Sequence, residues 1–397
     1  MNKLILSIAI GSLSLSAFAN LEGDGFYRVK NFGSDRWASL IDNKGEIDKT
    51  ATSADLHAVK LTRNTEEILS DPGSIVYINN LGGSEYNFAA QGTSVAELIG
   101  YKVNFGTDGT APDGQTLYRI FGRASGATKY IGDGDMVPED IEGFATISTI
   151  SNANYMKWYV LPINTETNYL GAVPTVEAEG KLYNTLYTSF SYKPYSEGVK
   201  AYYIGRVGGG QAEIIEISGV VPGACPVIIE CAGPDAADNK LSVLSPQGSI
   251  ADNSLTGVYF DYYYSKNLNN RVVYDPATMR VLGVCSDGSL GFITDKNLVS
   301  IPANSAYLEV PEGSEEEFKC VSSEEFSAGV NSITSDNAPL RYSNGKIHCG
   351  KSTEITVVNI AGQTVARTYG ETLDLNNLSK GVYIAKAAGK SIKIMIN

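Results

Sequence analysis

The chain is predicted to be an all-β protein of several domains, and three observations lead there. Short apolar or aromatic runs alternate with clusters of Gly, Asn, Asp and Ser, as in Phe26-Tyr27-Arg28-Val29, Ser74-Ile75-Val76-Tyr77-Ile78 and Thr116-Leu117-Tyr118-Arg119-Ile120. No long amphipathic helix is visible; the best stretch, Ser53 to Leu61, is too short. The 397 residues, 43% of them hydrophobic, suffice for two or three cores, and an all-β chain of that length must divide into sandwiches or barrels.

Composition excludes several classes. With 31 Lys and Arg against 44 Asp and Glu, the net charge is −13, which argues against a nucleic-acid partner, because neutralising phosphates needs clustered cations. Twenty-four Tyr and 12 Phe argue against a disordered chain.

The order along the chain starts with targeting. Lys3, the apolar run Leu4 to Leu15 and the Ala17-Phe18-Ala19 site read as a signal peptide over 1–19, cleaved after Ala19. Asn20, Glu22 and Asp24 end the apolar run too early for a membrane span, which needs about 20 residues. No later segment is long and apolar enough to span a bilayer, so no transmembrane segment is expected after cleavage. Export permits disulfides. The five cysteines, Cys225, Cys231, Cys285, Cys320 and Cys349, leave at least one thiol unpaired within the chain, and all can equally serve as small buried hydrophobes.

Residues 20–165 carry a weak echo: Val29, Ile78 and Ile120 recur in similar surroundings at intervals of 49 and 42 residues. Three unequal repeats suit a β-trefoil-like domain. The stretches GFYRVKNFGSDRWASL, YRIFGRASGATKYIG and MKWYVLPI resemble ricin-like trefoil units, although the sugar-binding Q-x-W signature of that family is absent. The resemblance implies a fold and no lectin activity.

Residues 166–175 read as a linker and 176–311 as a β-sandwich module. The order of Gly198-Val199-Lys200-Ala201-Tyr202-Tyr203, then Gly219-Val220-Val221-Pro222-Gly223-Ala224-Cys225-Pro226-Val227-Ile228-Ile229, then Gly291-Phe292 and Ile301-Pro302-Ala303-Asn304-Ser305-Ala306-Tyr307-Leu308 resembles an accessory module common in large secreted proteins of the Bacteroidetes. Ser305 departs from its pattern, where Lys is usual, and no activity follows from the resemblance. Residues 312–345, with Glu315-Glu316-Glu317 and Ser322-Ser323-Glu324-Glu325, read as a solvated linker.

Residues 346–397 alternate apolar and polar positions around an Ala361-Gly362 turn and read as a small Ig-like sandwich. Val358, Gly362, Val365, Leu375, Leu378, Gly381, Tyr383 and Lys393 meet the pattern of the C-terminal sorting domain of type IX secretion substrates, which this segment resembles. That resemblance implies engagement by the type IX secretion machinery and delivery through the periplasm to the surface or surroundings of a Gram-negative bacterium.

Catalytic and cofactor motifs are missing. His57 and His348 are the sole histidines, H-E-x-x-H is absent, and neither G-x-S-x-G nor a P-loop occurs. His348 and Cys349 are adjacent in a strand and so face opposite ways. Asp133-Gly134-Asp135 with Glu139 and Asp140 lacks calcium-loop spacing and reads as a solvated loop. No catalytic residue, metal ligand or cofactor site is assigned. Candidate ligand-binding residues are aromatic. In a strand over 258–264, Val258, Phe260, Tyr262 and Tyr264 would face one side, leaving Tyr259 and Tyr263 beside Asp261 as a stacking platform on the other. The same run can instead pack in a core. Trp37 in a turn is a further candidate. The resulting expectation is an exported binding or adhesive protein for a glycan or peptide. The rival reading is a carbohydrate-active hydrolase using two carboxylates about 5–10 Å apart, and a third is a structural surface-layer component.

Overall fold

The structure is a computed structural model, and it describes residues 24–44, 53–124, 127–134, 141–150, 153–265, 269–327, 340–343, 345–359, 362–387 and 390–396. Ala17 and Ala19 lie outside the described residues. The chain divides into two units, Met1–Cys320 and Val321–Asn397, both all-β.

The first unit begins with β1 (Gly25–Asn31), β2 (Trp37–Leu40), β3 (Ser53–Thr62), β4 (Val76–Gly82), β5 (Glu85–Ala90), β6 (Thr93–Ser94), β7 (Lys102–Thr110), β8 (Thr116–Ala124), β9 (Ala127–Gly132), β10 (Glu142–Ser148) and β11 (Trp158–Pro162). Two short helices, α1 (Thr65–Ser70) and α2 (Val95–Ile99), interrupt them. Six strands close a ring by antiparallel pairing, in the order β1, β4, β5, β7, β8, β11 and back to β1. Three excursions leave the ring: β2 and β3 between β1 and β4, β6 and α2 between β5 and β7, and β9 and β10 between β8 and β11. Closure buries alternate side chains, including Val29, Ile78, Ile120 and Val160, around the fully buried Trp158. Trp158 Nε1 donates to the Ile131 carbonyl at 2.8 Å, which satisfies its one polar atom. All three echo positions are core positions. Ile78, however, sits in β4, which closes the first excursion, and does not open a second repeat as the spacing suggested.

The rest of this unit comprises β12 (Leu170–Gly171), β13 (Val176–Ala178), β14 (Lys181–Leu186), β15 (Ser191–Pro194), β16 (Lys200–Gly208), β17 (Gln211–Glu216), β18 (Val227–Cys231), β19 (Lys240–Leu244), β20 (Leu255–Val258), β21 (Met279–Val284), β22 (Leu290–Ile293), β23 (Ser305–Glu309) and β24 (Glu317–Val321). The sheet β12-β19-β15 shares a core with part of the ten-stranded sheet β13-β14-β18-β16-β17-β24-β22-β21-β23-β20: Leu170, Tyr192 and Leu241 meet Ala201, Val227 and Ile229. The large sheet also folds over on itself, since Tyr183, Ile204 and Ile228 share a second core with Leu290, Phe292, Leu308 and Phe318. Both stretches expected to be linkers contribute strands here. β12 lies within 166–175, and β24, within 312–345, sits between β17 and β22. In β24, Phe318 points inward while Glu317 and Lys319 are more exposed, so a charged run conceals a core strand. All five cysteines are unbridged, and burial pushes the Cys231 thiol up to about 12.

The second unit holds β25 (Arg341–Ser343), β26 (Lys346–Asn359), β27 (Thr364–Asp374), β28 (Gly381–Ala387) and β29 (Lys390–Ile396) in one five-stranded antiparallel sheet around Ile347, Ile355, Val357, Leu375, Tyr383, Ala385 and Ile394.

Candidate functional site

A cleft of about 520 Å³ opens where the barrel meets the strands that follow it. Ile41, Lys60, Glu142, Gly143 and Phe144 line it from the barrel; Asp261, Tyr262, Pro302 and Ala303 line it from the other wall. The barrel wall is shaped by a bulge. Phe144 pairs with Lys60, but the next residue, Ala145, pairs with Leu56, so His57, Ala58 and Val59 are extra on β3. Bulges of this kind re-aim side chains. Here His57 comes to rest against Phe144, ring centroids 4.8 Å apart and edge to face.

The opposite wall interleaves its own rings. Tyr264 stacks on His57 at 3.8 Å, Tyr262 lies 6.0 Å from Phe144, and Tyr262 and Tyr264 are near parallel at 6.5 Å. Burial, with Tyr264 and Asp42 nearby, raises the Tyr262 pKa, so its hydroxyl remains a donor at neutral pH. The rim is charged. Lys60 Nζ bonds Glu67 at 2.8 Å and Glu142 at 2.9 Å. Burial opposes the Lys60 charge, but these two hydrogen bonds outweigh it and raise its pKa. Asp261 is held by Arg271 Nε at 3.2 Å. The cleft thus offers apolar ring faces, two carboxylate acceptors and a phenol donor, the mixture that binds a small hydroxyl-rich molecule.

The two walls are fastened to each other. Asn270 donates to Asp42, and Lys44 Nζ donates to the Asn269 carbonyl at 2.7 Å. Beyond Pro302 and Ala303 a second cavity of about 410 Å³ reaches Glu67, Asp71, Asn184 and Asp295. The loop between the two cavities is pinned by Asn304, which receives Gln91 Nε2 and donates to Asp71 at 3.3 Å. Asn304 has φ +56°, a left-handed conformation that asparagine tolerates better than most residues. Asp71 also accepts from Ser39 Oγ and from the Gly73 amide at 2.7 Å; burial raises its pKa, against these bonds and the Arg28 charge. Arg28 is fully buried and bonds Ser74 Oγ at 2.7 Å, Asn168 Oδ1 at 2.9 Å and the Tyr169 carbonyl at 2.7 Å, which clamps the stretch expected to be a linker. Its burial lowers its pKa to about 10, leaving it charged at neutral pH.

The aromatic candidates fall in different places. β20 ends at Val258, so strand alternation does not continue to 264. Tyr259 is no exposed platform: its ring stacks on Tyr187 at 4.2 Å and packs against the barrel core, into which Phe260 also inserts. That stacking needs Gly257, where a Cβ would lie 2.4 Å from the Tyr187 ring. Tyr263 is half exposed, with Arg271 5.7 Å over its ring, beside Asp261. Trp37 is half-buried beneath Lys30 Nζ at 5.1 Å and does not line the cleft. Asp133 is buried in an ion pair with Arg36 at 3.3 Å, while Asp135, Glu139 and Asp140 lie outside the described residues. Among the described residues no His, Cys, Asp and Glu cluster could hold a metal ion. Sequence reading missed Lys60, Glu142, Phe144, Pro302 and Ala303 as lining residues; Tyr262 and Asp261 were visible in the aromatic run.

In the second unit the motif positions divide by job. Leu375 and Tyr383 are buried, Leu378 packs on the same core, and Tyr383 Oη donates to the Ser379 carbonyl at 2.8 Å. Gly362 turns the chain at φ +78°. Gly381 opens β28. Val358, Val365 and Lys393 have no place among the buried core residues.

Residues 341–397 match the family described as the secretion system C-terminal sorting domain. Neither curated proteins nor solved structures returned a match to this chain. The class so defined is an exported all-β protein carrying a type IX sorting tail, which places it at the cell surface or in the medium and implies engagement by the secretion machinery. No helix among the described residues is long and apolar enough to cross a membrane.

Proposed function

We propose that the protein is an exported binding protein whose first unit holds a glycan in the cleft between the barrel and the strands that follow. The observation that carries this reading is the interleaving of Phe144 and His57 with Tyr262 and Tyr264 beside Glu142 and Asp261. Ring faces suit the apolar face of a sugar, and carboxylates accept its hydroxyls. Tyr263 extends the platform at the rim. The six-strand ring with three excursions is read as a β-trefoil whose second excursion has contracted to β6 and α2, followed by a sandwich-type module. Export begins with signal cleavage after Ala19 and passes through the periplasm. Hydrolysis by Glu142 and Asp261 is the weaker reading, because each is already tied to a cation, Lys60 or Arg271. The test is a glycan array probed with the full chain and with Tyr262→Ala. Selective binding that the substitution weakens supports the reading; an array with no selective signal sinks it.

A further inference from the structure

The tail differs in charge from the chain it is attached to. Residues 341–397 carry eight Lys and Arg against three Asp and Glu, while the remaining residues carry 23 against 41. Its sheet also has one face that the core does not use. In β28, Tyr383, Ala385 and Ala387 are buried, so Val382, Ile384 and Lys386 point the other way. Paired residues on neighbouring strands share a face. Val358 pairs with Ile384 and Ile384 with Lys393, forming one row across β26, β28 and β29. Val382 pairs with Met395 beside it, and Met395 is 63% exposed. On the same face Arg367 is paired to Glu354, whereas Lys386 and Lys393 make no ion pair among the described residues.

We propose that this outer face, centred on Val358, Ile384 and Met395 and flanked by Lys386 and Lys393, is the surface by which the tail is engaged during export. Its partner is a protein of the secretion machinery bearing an apolar seat rimmed by carboxylates. The proposal rests on the reading of the tail as a sorting domain and adds the face and the chemistry of its partner. Two motif positions, Val358 and Lys393, then have a role that core packing does not give them. The basic tail on an acidic chain supplies the complementarity: an acidic rim attracts this segment and repels the rest. An exposed apolar centre within charged surroundings is the usual anatomy of a docking patch.

The experiment uses the full chain in a bacterium with an active type IX system and measures the fraction delivered outside the cell. Four variants are compared: deletion of 341–397, the double change Ile384→Glu with Met395→Glu, the double change Lys386→Glu with Lys393→Glu, and Glu371→Gln as an exposed control. Protease resistance of the tail is followed in the three substituted variants, because all substituted side chains are exposed and should leave the fold intact. The deletion and both double variants are expected to lower delivery at least tenfold, with the tail of both double variants still resistant, and the control to export normally. If deletion blocks delivery but both double variants export like the parent, the face is wrong and the sorting reading stands. If deletion itself leaves delivery unchanged, the sorting reading falls and the proposal with it.

Discussion

The two units bury their cores in opposite ways. In the first, neighbouring parts lend residues to one another: Phe260, from after β20, completes the barrel core, and Ile75, from before β4, enters the core shared by β12, β15 and β18. In the tail the core is drawn, among the described residues, from 340–396. The first unit is therefore expected to unfold as one cooperative body although it contains two architectures, and the tail to behave as a separable module. A binding cleft between two walls needs the walls fixed; a sorting tail needs to work on whatever precedes it.

The largest effect should come from Trp158→Ala, which empties the barrel centre and is expected to cost about 3–5 kcal/mol. Hydrogen exchange read segment by segment should show β12 to β24 losing protection together with β1 to β11, while β25 to β29 keep theirs. Loss confined to the barrel would break the comparison. Next is Arg28→Met. It removes the donor that Ser74 Oγ, Asn168 Oδ1 and the Tyr169 carbonyl accept from, at a cost of about 1–3 kcal/mol, and should separate the melting of the barrel from that of the following strands in a calorimetric scan. A single shared transition in that variant would assign the coupling to the contacts that remain, the apolar packing and the polar ties of Asn270, Lys44 and Asn304.

Gly362→Ala tests the other side. At φ +78° an alanine costs about 1–2 kcal/mol, and the loss should appear in the tail alone. Smallest is a pH effect at the join. The Asp71 pKa is raised on folding, so the folded state binds its proton more tightly than the unfolded chain does. Its contribution is fully present below the unfolded value of about 3.9 and is lost as pH rises through the folded value. Asp71→Asn should flatten the fall in stability above about pH 4; denaturant midpoints measured across that range in both proteins would decide it, and identical slopes would remove Asp71 from the account.

What could be read from the sequence follows the range of the interactions. In the tail the inward-facing positions were legible, because alternation and a turn glycine are local, and Ile355 and Val357 do face inward as their spacing implies, while the described strands form one five-stranded sheet where a small sandwich was expected. The barrel was partly legible: Val29, Ile78 and Ile120 are core positions, but which strand pairs with which depends on closure between residues far apart, such as Tyr118 with Trp158. The aromatic run misled because alternation holds only while a strand continues, and β20 stops at Val258. The linkers misled because polar composition does not preclude a strand with one face exposed, as Glu317 to Val321 shows. The cleft was beyond reach, since its walls come from Ile41 and Lys60 and from residues 142–144, 261–262 and 302–303, and depend on how the barrel sits against the strands after it.

The most direct measurement is a calorimetric titration of an array-identified glycan into the full chain, into Tyr262→Ala and into Tyr369→Ala, the last an exposed tyrosine of the tail. Loss of one stacking ring is worth about 0.5–1.5 kcal/mol, or roughly two- to tenfold in affinity. The account expects that weakening for Tyr262→Ala and an unchanged affinity for Tyr369→Ala. Equal affinity in the parent and Tyr262→Ala would contradict it.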